Sequence, residues 1–252
     1  MNLFINTQIG DSYTSSSQKA RVITEYWVSK QIYCPSCGSD ITSYENNRPV
    51  ADFLCGTCAE DYELKSIKGK FGIKVSAGAY HQMIKRISSE TKPNFFFMAY
   101  LVKVNEFFVV PKHFIVSEIV EKRKPLAETA RRKGWIGSNI LFTKIPLAGQ
   151  IFYVANGIEI DKEVVLEKWQ KTVFLKKVKK TEAKGWILDI MNCIDTLNKR
   201  EFSLREIYSF EPELKLVHPE NNFIKEKIRQ QLQFLRDNNY LEFISKGRYK
   251  LR

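Results

Sequence analysis

Residues 49–65 read Pro49-Val-Ala-Asp52-Phe-Leu-Cys55-Gly-Thr-Cys58-Ala-Glu-Asp-Tyr-Glu63-Leu-Lys65. The pattern predicts two β-strands, residues 48–54 and 62–67, on either side of a Cys-x2-Cys turn. Residues two apart on a strand face the same side, so Glu63 and Lys65 project together while Leu64 points to the core. If the two strands pair, Asp52 reaches the same face.

Asp52, Glu63 and Lys65 therefore form a candidate catalytic set. Two converging carboxylates suit a hard, oxygen-seeking cation, so Asp52 and Glu63 are candidate Mg²⁺ ligands. A lysine beside them can orient or deprotonate a water molecule and stabilise developing negative charge. Phosphodiester hydrolysis needs this combination of metal and nucleophile. The alternative is a solvated face of an edge hairpin, because short motifs often match by chance.

Four of the five cysteines lie close together in the sequence, as Cys34, Cys37, Cys55 and Cys58. Their spacing, C-x2-C-x17-C-x2-C, is typical of a structural zinc site. Four thiolates complete a tetrahedron and leave no open position, which indicates a structural ion rather than a catalytic one. Two disulfides are the alternative, which a reducing compartment disfavours. Cys193 stands alone and is expected in a core.

Further elements complete a mixed α/β nuclease-like domain, predicted to span residues 1–180. A capped helix is predicted at residues 16–28, where Glu25 is either an accessory carboxylate or a surface salt-bridge partner. The remaining predictions are helices at 77–88 and 115–122, and strands at 94–104, 105–110 and 151–155.

Charge and composition indicate a globular protein with a polyanionic partner. The 252 residues include 40 Lys and Arg against 28 Asp and Glu, a formal net charge of +12. The 44% hydrophobic content is enough for a core and excludes intrinsic disorder. The longest apolar run, residues 95–102, is too short to span a bilayer, and no secretory signal is visible, so a cytoplasmic protein is expected. Charge alone leaves open nucleic acid, an anionic membrane or plain solubility.

The last third of the chain has the element order of a winged helix, predicted at residues 181–252. A lysine-rich linker at 176–184 precedes helices at 185–197, 203–209 and 221–238, and a hairpin formed by 240–244 and 248–251. Arginine prefers guanine and glutamine or asparagine prefers adenine in the major groove. The candidate contacts are Asn221, Lys225, Arg229 and Gln230 on the third helix, and Arg248 and Lys250 on the hairpin. A lysine-rich soluble helix bundle is the alternative.

A basic, glycine-flanked turn, Arg131-Arg132-Lys-Gly-Trp135-Ile-Gly137, is a further candidate DNA contact. It can place the Trp135 ring against an unstacked or modified base, with Arg131 and Arg132 beside the phosphates. Core packing is the alternative for Trp135, because tryptophan is usually largely buried.

These motifs resemble the PD-(D/E)XK nuclease superfamily and, within it, the methyl-directed type IIM restriction endonucleases. One departure from the general signature is the two residues that separate Pro49 from Asp52. The resemblance covers nearly the whole chain and is carried by Pro49…Asp52…Glu63-Leu-Lys65, Gln18–Arg21, Tyr33–Pro35, Glu45–Phe53, Arg131–Gly137 and Ile224–Gln233.

The resemblance implies a Mg²⁺-dependent nuclease domain with a structural Zn²⁺ site, followed by a winged-helix domain. It implies cleavage of double-stranded GATC sites that carry N6-methyladenine, with both domains reading the methylated sequence. By matching position, Asp52, Glu63 and Lys65 are the catalytic residues and Trp135 is the methyladenine contact in the nuclease domain. The expected partner is double-stranded methylated DNA, with no membrane or small-molecule substrate, and a monomer is expected.

Two other functions fit the sequence less well. The first is a non-catalytic, methyl- or sequence-specific DNA-binding regulator that keeps the nuclease fold as a scaffold. The second is a structural zinc-ribbon adaptor. The complete Asp52, Glu63 and Lys65 set favours the enzyme, because a decayed site readily loses one member.

Overall fold

The computed structural model describes residues 1–44, 51–89 and 91–252. The chain forms two compact units. The first contains residues 1–143 and 148–172, and the second contains residues 144–147 and 173–252. Within the described residues, no helix combines the length and the apolar character needed to cross a membrane.

A seven-stranded sheet forms the centre of the first unit, with strand order β1-β2-β3-β5-β6-β9-β10. Strand β3 pairs in parallel with β5 and antiparallel with β2. The strands are β1 (Thr42–Ser43), β2 (Phe53–Leu54), β3 (Asp61–Lys68), β5 (Asn94–Tyr100), β6 (Val104–Val110), β9 (Ile151–Ala155) and β10 (Ile158–Glu159).

Strand β5 lies in the middle of this sheet because its sequence is apolar on both faces. All seven of its residues are buried, as expected for a strand covered on both sides. The rings of Phe96 and Phe107 approach to 5.1 Å between centroids, and those of Phe97 and Phe108 to 5.1 Å, across the β5–β6 pair. The predicted strands 94–104 and 105–110 are confirmed, but the chain turns at 101–103 rather than at 104–105.

A smaller sheet, with strand order β4-β8-β7, lies in the same unit. Its strands are β4 (Lys74–Ala79), β7 (Val120–Lys122) and β8 (Gly137–Leu141). The helix predicted at 77–88 begins only at Tyr80, as α2 (Tyr80–Ile87), because residues 77 and 79 pair with β8. The helix predicted at 115–122 is wrong: a 3₁₀ turn at Ser117–Ile119 leads directly into β7.

Two longer helices flank the central sheet in sequence, α1 (Ser16–Gln31) and α3 (Lys162–Gln170). Helix α1 confirms the prediction at 16–28 and is one turn longer at its C-terminal end. Its buried residues include Trp27 and Val28, and Thr24 Oγ1 lies 3.3 Å from Ser66 Oγ of β3. Helix α1 is thereby held against the strand that carries the candidate catalytic set.

The second unit is built mainly from helices and ends in a three-stranded sheet of order β11-β13-β12. Helix α4 begins at Thr181, so part of the predicted linker 176–184 is helical, and Val173–Lys177 forms a 3₁₀ helix. The predicted second and third helices and the hairpin are confirmed. The elements are α4 (Thr181–Leu197), β11 (Glu201–Ser203), α5 (Leu204–Tyr208), α6 (Glu211–Val217), α7 (Ile224–Asp237), β12 (Leu241–Ser245) and β13 (Arg248–Leu251).

Helix α7 presents one apolar stripe to the second unit's core. Ile228, Leu232 and Leu235, at helical spacing, are fully buried. The two elements absent from the prediction are α6, which starts with Glu211-Pro212, and β11, which pairs with β13. The result is a helical domain with a C-terminal β-hairpin, in which α7 directly precedes the hairpin.

Candidate functional site

The candidate catalytic residues line one cavity of about 380 Å³ between α1 and the β2–β3 region. Asp52, Glu63 and Lys65 all contribute to its wall, as does Glu25 of α1. The other lining residues are Ser17, Ala20, Arg21, Thr24, Leu64 and Ser66. The structure therefore brings together the three residues that the strand pattern predicted to share a face. Pro49 of the sequence motif lies outside the described residues.

Asp52 is held at the edge of β3 by backbone hydrogen bonds. Its amide donates to the carbonyl of Tyr62 at 2.9 Å, and its Oδ2 accepts from the amide of Leu64 at 2.7 Å. Burial raises the pKa of Asp52 above its usual value, and the neighbouring charge of Glu63 adds to this shift. A cation at the remaining oxygen, Oδ1, would therefore stabilise the charged form of Asp52.

Glu63 lies between two cationic side chains. The ammonium of Lys65 contacts Oε1, and Nη1 of Arg86 lies 3.0 Å from Oε2. Only 14% of the Glu63 side chain is exposed, so a full charge there needs such partners. Sequence patterns did not reveal Arg86. It lies on α2, 23 residues after Glu63 (86 − 63), and no helix or strand period connects two positions so far apart.

Helix α1 adds an ion pair to the same cavity. Arg21 Nε donates to Glu25 Oε1 at 2.6 Å, and Arg21 Nη2 lies 4.0 Å from Asp52 Oδ1. Burial raises the pKa of Glu25, against the opposing effect of Arg21. Glu25 therefore forms a salt bridge and also lies in the wall of the cavity. The i,i+4 spacing of Arg21 and Glu25 was the available sequence signal for this pair.

The four cysteines predicted to hold zinc converge on one point, with all sulfur atoms within 4.8 Å of one another. No disulfide joins any of the cysteines, all of which lie in the described part of the chain. Among the described residues, this is the only convergent group of three or more metal-ligand side chains. The donor set fits Zn²⁺, which prefers tetrahedral thiolate coordination.

The two halves of this cluster repeat one backbone turn. The amide of Gly38 donates to the carbonyl of Cys34 at 2.8 Å, and the amide of Ala59 donates to that of Cys55 at 2.9 Å. Gly38 has φ 78° and Ala59 has φ 56°, so both follow their Cys-x2-Cys pair in the left-handed region. Glycine adopts this region without cost, whereas a non-glycine residue is strained there.

The basic turn of the first unit stacks its own arginine on its tryptophan. The guanidinium carbon of Arg132 lies 4.8 Å from the ring centre of half-buried Trp135. A Cβ at Gly137 would lie 2.7 Å from that ring, so the close approach requires glycine. Arg132 also lines a surface cavity of about 460 Å³, together with Leu126, Ala130 and Arg131.

The residues predicted on the third helix separate into two groups, and Asn221 lies before the helix rather than on it, because α7 begins at Ile224. Asn221 and Gln230 line a surface cavity of about 340 Å³ with Phe223, Glu226 and Lys227. Phe223, which sequence reasoning missed, is 71% exposed and adds an apolar ring to this polar surface.

Lys225 and Arg229 form the second group and approach Tyr208 of α5. Arg229 Nη1 lies 3.1 Å from Tyr208 Oη, and Lys225 Nζ lies 5.8 Å from the ring centre. Each also has an acidic partner, Glu226 for Arg229 and Glu211 for Lys225.

The two basic residues predicted on the hairpin share one face of β13. Tyr249 between them packs against Phe202 on the other side, with 5.8 Å between ring centres. Arg248 is exposed, and Lys250 Nζ lies 3.3 Å from Glu201 Oε1. Gly247, with φ 70°, forms the turn that places Arg248 at the start of the strand.

The chain thus combines a mixed α/β unit that carries a four-cysteine cluster with a helical unit that ends in a β-hairpin. The chain matches the DpnI family, described as the Dam-replacing family, over residues 1–178. Residues 182–251 match DpnI_C, the Dam-replacing HTH domain. The chain belongs to the DpnI, or Dam-replacing, family, which identifies it as a DNA-binding restriction enzyme of the kind directed by DNA modification. The predicted fold class is confirmed.

The strained turn at Ala59 gives a matched pair of variants. Ala59→Gly relieves a left-handed cost of about 1–2 kcal/mol but adds about 0.4–1 kcal/mol of unfolded-state entropy, so a net gain of about 0.5 kcal/mol is expected. Gly38→Ala reverses both terms and also places a Cβ 3.3 Å from Lys162 Cε, so it lowers the free energy of unfolding by at least a similar amount. Urea denaturation of the zinc-loaded protein measures both. Equal signs for the two variants would contradict the equivalence of the turns.

Proposed function

We propose that this protein is a type II restriction endonuclease that hydrolyses double-stranded DNA at GATC sites containing N6-methyladenine, in a Mg²⁺-dependent reaction. The family match supports the restriction enzyme and the DNA-binding domain. The observation that carries the hydrolytic reaction is the convergence of Asp52, Glu63 and Lys65 on one cavity. The nuclease domain is assigned to residues 1–180 and the winged helix to residues 181–252.

Asp52 and Glu63 would hold the Mg²⁺ ion. Both offer oxygen ligands, as Mg²⁺ requires, and Mg²⁺ usually keeps several water molecules, so two carboxylates suffice. Burial raises the pKa of Asp52, and the nearby charge of Glu63 adds to this shift, so a cation between the two carboxylates would stabilise their charged forms. When bound, the ion polarises the scissile phosphate and lowers the pKa of a coordinated water.

The chain's own groups have separate roles in this scheme. Lys65 orients the attacking water and stabilises the negative charge that develops on the phosphate oxygens. The amide of Leu64 fixes the Asp52 carboxylate through Oδ2, which leaves Oδ1 toward Arg21 and the cavity. Arg21, which is 54% exposed, is placed to meet the DNA backbone from α1.

Zinc in the Cys34, Cys37, Cys55 and Cys58 cluster would act as a structural ion. Tyr62, next to Glu63, directs its hydroxyl at the Cys34 sulfur, with 3.0 Å between the atoms. The cluster thus supports the strand that carries the catalytic groups, and it has no role in the chemical step.

Sequence reading is assigned to two surfaces. In the nuclease domain, Trp135 contacts the methyladenine and Arg131 and Arg132 contact the backbone. In the winged helix, Asn221, Lys225, Arg229 and Gln230 of the α7 region enter the major groove, and Arg248 and Lys250 contact phosphate. A pocket that recognises one methyl group distinguishes methylated from unmethylated DNA by only about 10–200-fold. Two recognition surfaces in one enzyme multiply their separate factors.

Digestion of one plasmid, prepared with and without adenine methylation at GATC, tests the central proposal. We expect discrete fragments from the methylated plasmid alone, and only with Mg²⁺. Asp52→Asn and Lys65→Ala are expected to abolish cutting, because each removes a group from the reacting centre, while binding to the methylated duplex persists.

Each other result has a definite meaning. Cutting of both plasmids would retain the nuclease and remove the methyl specificity. Binding without cutting by the zinc- and Mg²⁺-loaded wild type would favour the non-catalytic regulator. Undiminished cutting by Lys65→Ala would remove the lysine from the mechanism.

The zinc assignment predicts one Zn²⁺ per chain. Cys58→Ser is expected to lose the ion and to destabilise the first unit, because binding energy of structural zinc is folding energy. Cys193→Ser is the matched control, since Cys193 is a buried cysteine of α4 outside the cluster. Elemental analysis of the purified proteins and their unfolding curves give both readouts. Loss of zinc from Cys193→Ser alone would contradict the assignment.

The two groups on α7 predict different effects on DNA binding, measured in the absence of Mg²⁺. If the Gln230 amide reads a base, Gln230→Ala should reduce the difference in binding free energy between GATC and scrambled duplexes by about 1–3 kcal/mol. Lys225→Ala should weaken both affinities about equally and reduce the salt dependence. Gln233→Ala, another exposed glutamine of the same helix, is the control. A uniform loss for Gln230→Ala would assign that residue to the backbone.

A further inference from the structure

Glu63 is the only member of the catalytic set whose two carboxylate oxygens have different cationic partners, as far as the described residues show. Lys65 contacts Oε1 and belongs to the cavity wall. Arg86 contacts Oε2 from α2 and is not part of that wall. The carboxylate therefore has a cavity side, Oε1, and a supporting side, Oε2.

The supporting side is attached to the core through helix α2. Arg86 lies in the last turn of α2, between Met83 and Ile87, which are 6% and 4% exposed and anchor the helix to the first unit's core. The guanidinium is a planar fork with defined directions, whereas the ammonium of Lys65 sits on a flexible four-carbon stem. The Lys65 ammonium can therefore rotate about its stem, whereas the Arg86 guanidinium reaches Oε2 from a helix that the core anchors.

The contact with Glu63 accounts for the position of this guanidinium. Arg86 Nη2 is buried and has no hydrogen-bond partner among the described residues, which is costly for a charged donor. An arginine placed only for packing would turn this group to solvent. Glu63 Oε2 is likewise buried without a hydrogen-bond partner among the described residues, so the two groups meet as an ion pair, 3.0 Å apart. Removal of either partner would leave the other charge buried and uncompensated.

We propose that Arg86 is a positioning residue, which holds Oε2 of Glu63 so that the carboxylate presents Oε1 alone to the divalent cation. This inference rests on the metal-dependent nuclease proposed above and goes beyond it, because no part of that scheme requires Arg86. A neighbour that fixes the carboxylate sets its orientation before the metal ion arrives. Binding through one oxygen then costs no further orientational entropy. Partners of metal ligands typically contribute 10–100-fold to metal affinity or activity.

The test measures metal binding directly, without DNA or turnover. Mn²⁺ replaces Mg²⁺ as the probe and is followed by calorimetry or electron paramagnetic resonance. Asp52→Asn, which removes the negative charge of a proposed ligand, defines the signal that belongs to the nuclease site. Arg86→Met is expected to weaken Mn²⁺ binding there by roughly 10–100-fold. Lys85→Met, an exposed cation of the same helix, is the matched control and should bind Mn²⁺ as the wild type does.

A second readout separates positioning from catalysis. The Mg²⁺ concentration that gives half-maximal cleavage should rise in Arg86→Met by the same factor as the Mn²⁺ dissociation constant. The cleavage rate at saturating Mg²⁺ should fall by less than about tenfold, because excess metal compensates for a loosely held ligand. Arg86→Lys retains the charge without the fork and should recover part of the lost affinity. If Arg86→Met does not fold, a several-fold loss in Arg86→Lys carries the test.

Three results would overturn the proposal. Unchanged Mn²⁺ affinity in a folded Arg86→Met protein shows that Glu63 does not need this partner. Tighter Mn²⁺ binding shows that Arg86 competes with the metal for the carboxylate. Unchanged Mn²⁺ affinity with weaker DNA binding in Ca²⁺ assigns Arg86 to a phosphate.

Failure of the proposed function gives a different pattern. A wild-type protein that binds Mn²⁺ through Asp52 but cuts no methylated DNA would refute the nuclease and leave the Arg86 result interpretable. Methyl-directed cutting by the wild type with no metal effect in Arg86→Met would refute the positioning role alone.

Discussion

The placement of β3 is the constraint on which the rest of the first unit depends. Its alternation sends Tyr62 toward the cysteine cluster and the aromatic core, and sends Glu63 and Lys65 toward the cavity. The Tyr62 ring stacks on Phe96 of β5 at 4.5 Å, almost parallel, with an angle of 8° between the rings. A shift of one residue in the β3–β5 register would exchange these two faces, so the parallel pairing fixes both the core and the site.

Electrostatic balance within the site follows from this arrangement. Asp52, Glu63 and Glu25 place three carboxylates around one cavity, and three cations accompany them: Arg21, Lys65 and Arg86. Each carboxylate is mostly buried, with side-chain exposure between 14% and 24%. Charges this sheltered require close partners, so a divalent cation entering the site must rearrange existing pairs rather than fill an unpaired cluster.

Sequence patterns predicted those features that depend on near neighbours in the chain. The cysteine spacing predicted the cluster, and the two-residue period predicted the common face of Glu63 and Lys65. Residues 77–79 were predicted as helix from local preference, but pairing with β8 makes them strand. Helix α6 was absent from the prediction, and its first turn contains Pro212, a position where a helix tolerates proline well.

Features that depend on tertiary contacts were beyond those patterns. Arg86 reaches Glu63 only because α2 returns to β3 after β4, which no local period encodes. The same holds for Phe223, whose exposure is a property of the folded surface rather than of its neighbours in sequence.

The chain also crosses between its two units more than once. Residues 144–147 belong to the second unit, and the chain then returns to the first for β9, β10 and α3. Within the second unit, Ile145 is 2% exposed, and the Leu147 amide donates to Asp195 of α4 at 2.7 Å. Simple end-to-end fusion of two ready-made modules would not produce this interleaving. Truncation of residues 173–252 would also remove the rest of the unit in which Ile145 is buried, so this apolar side chain would lose its packing partners.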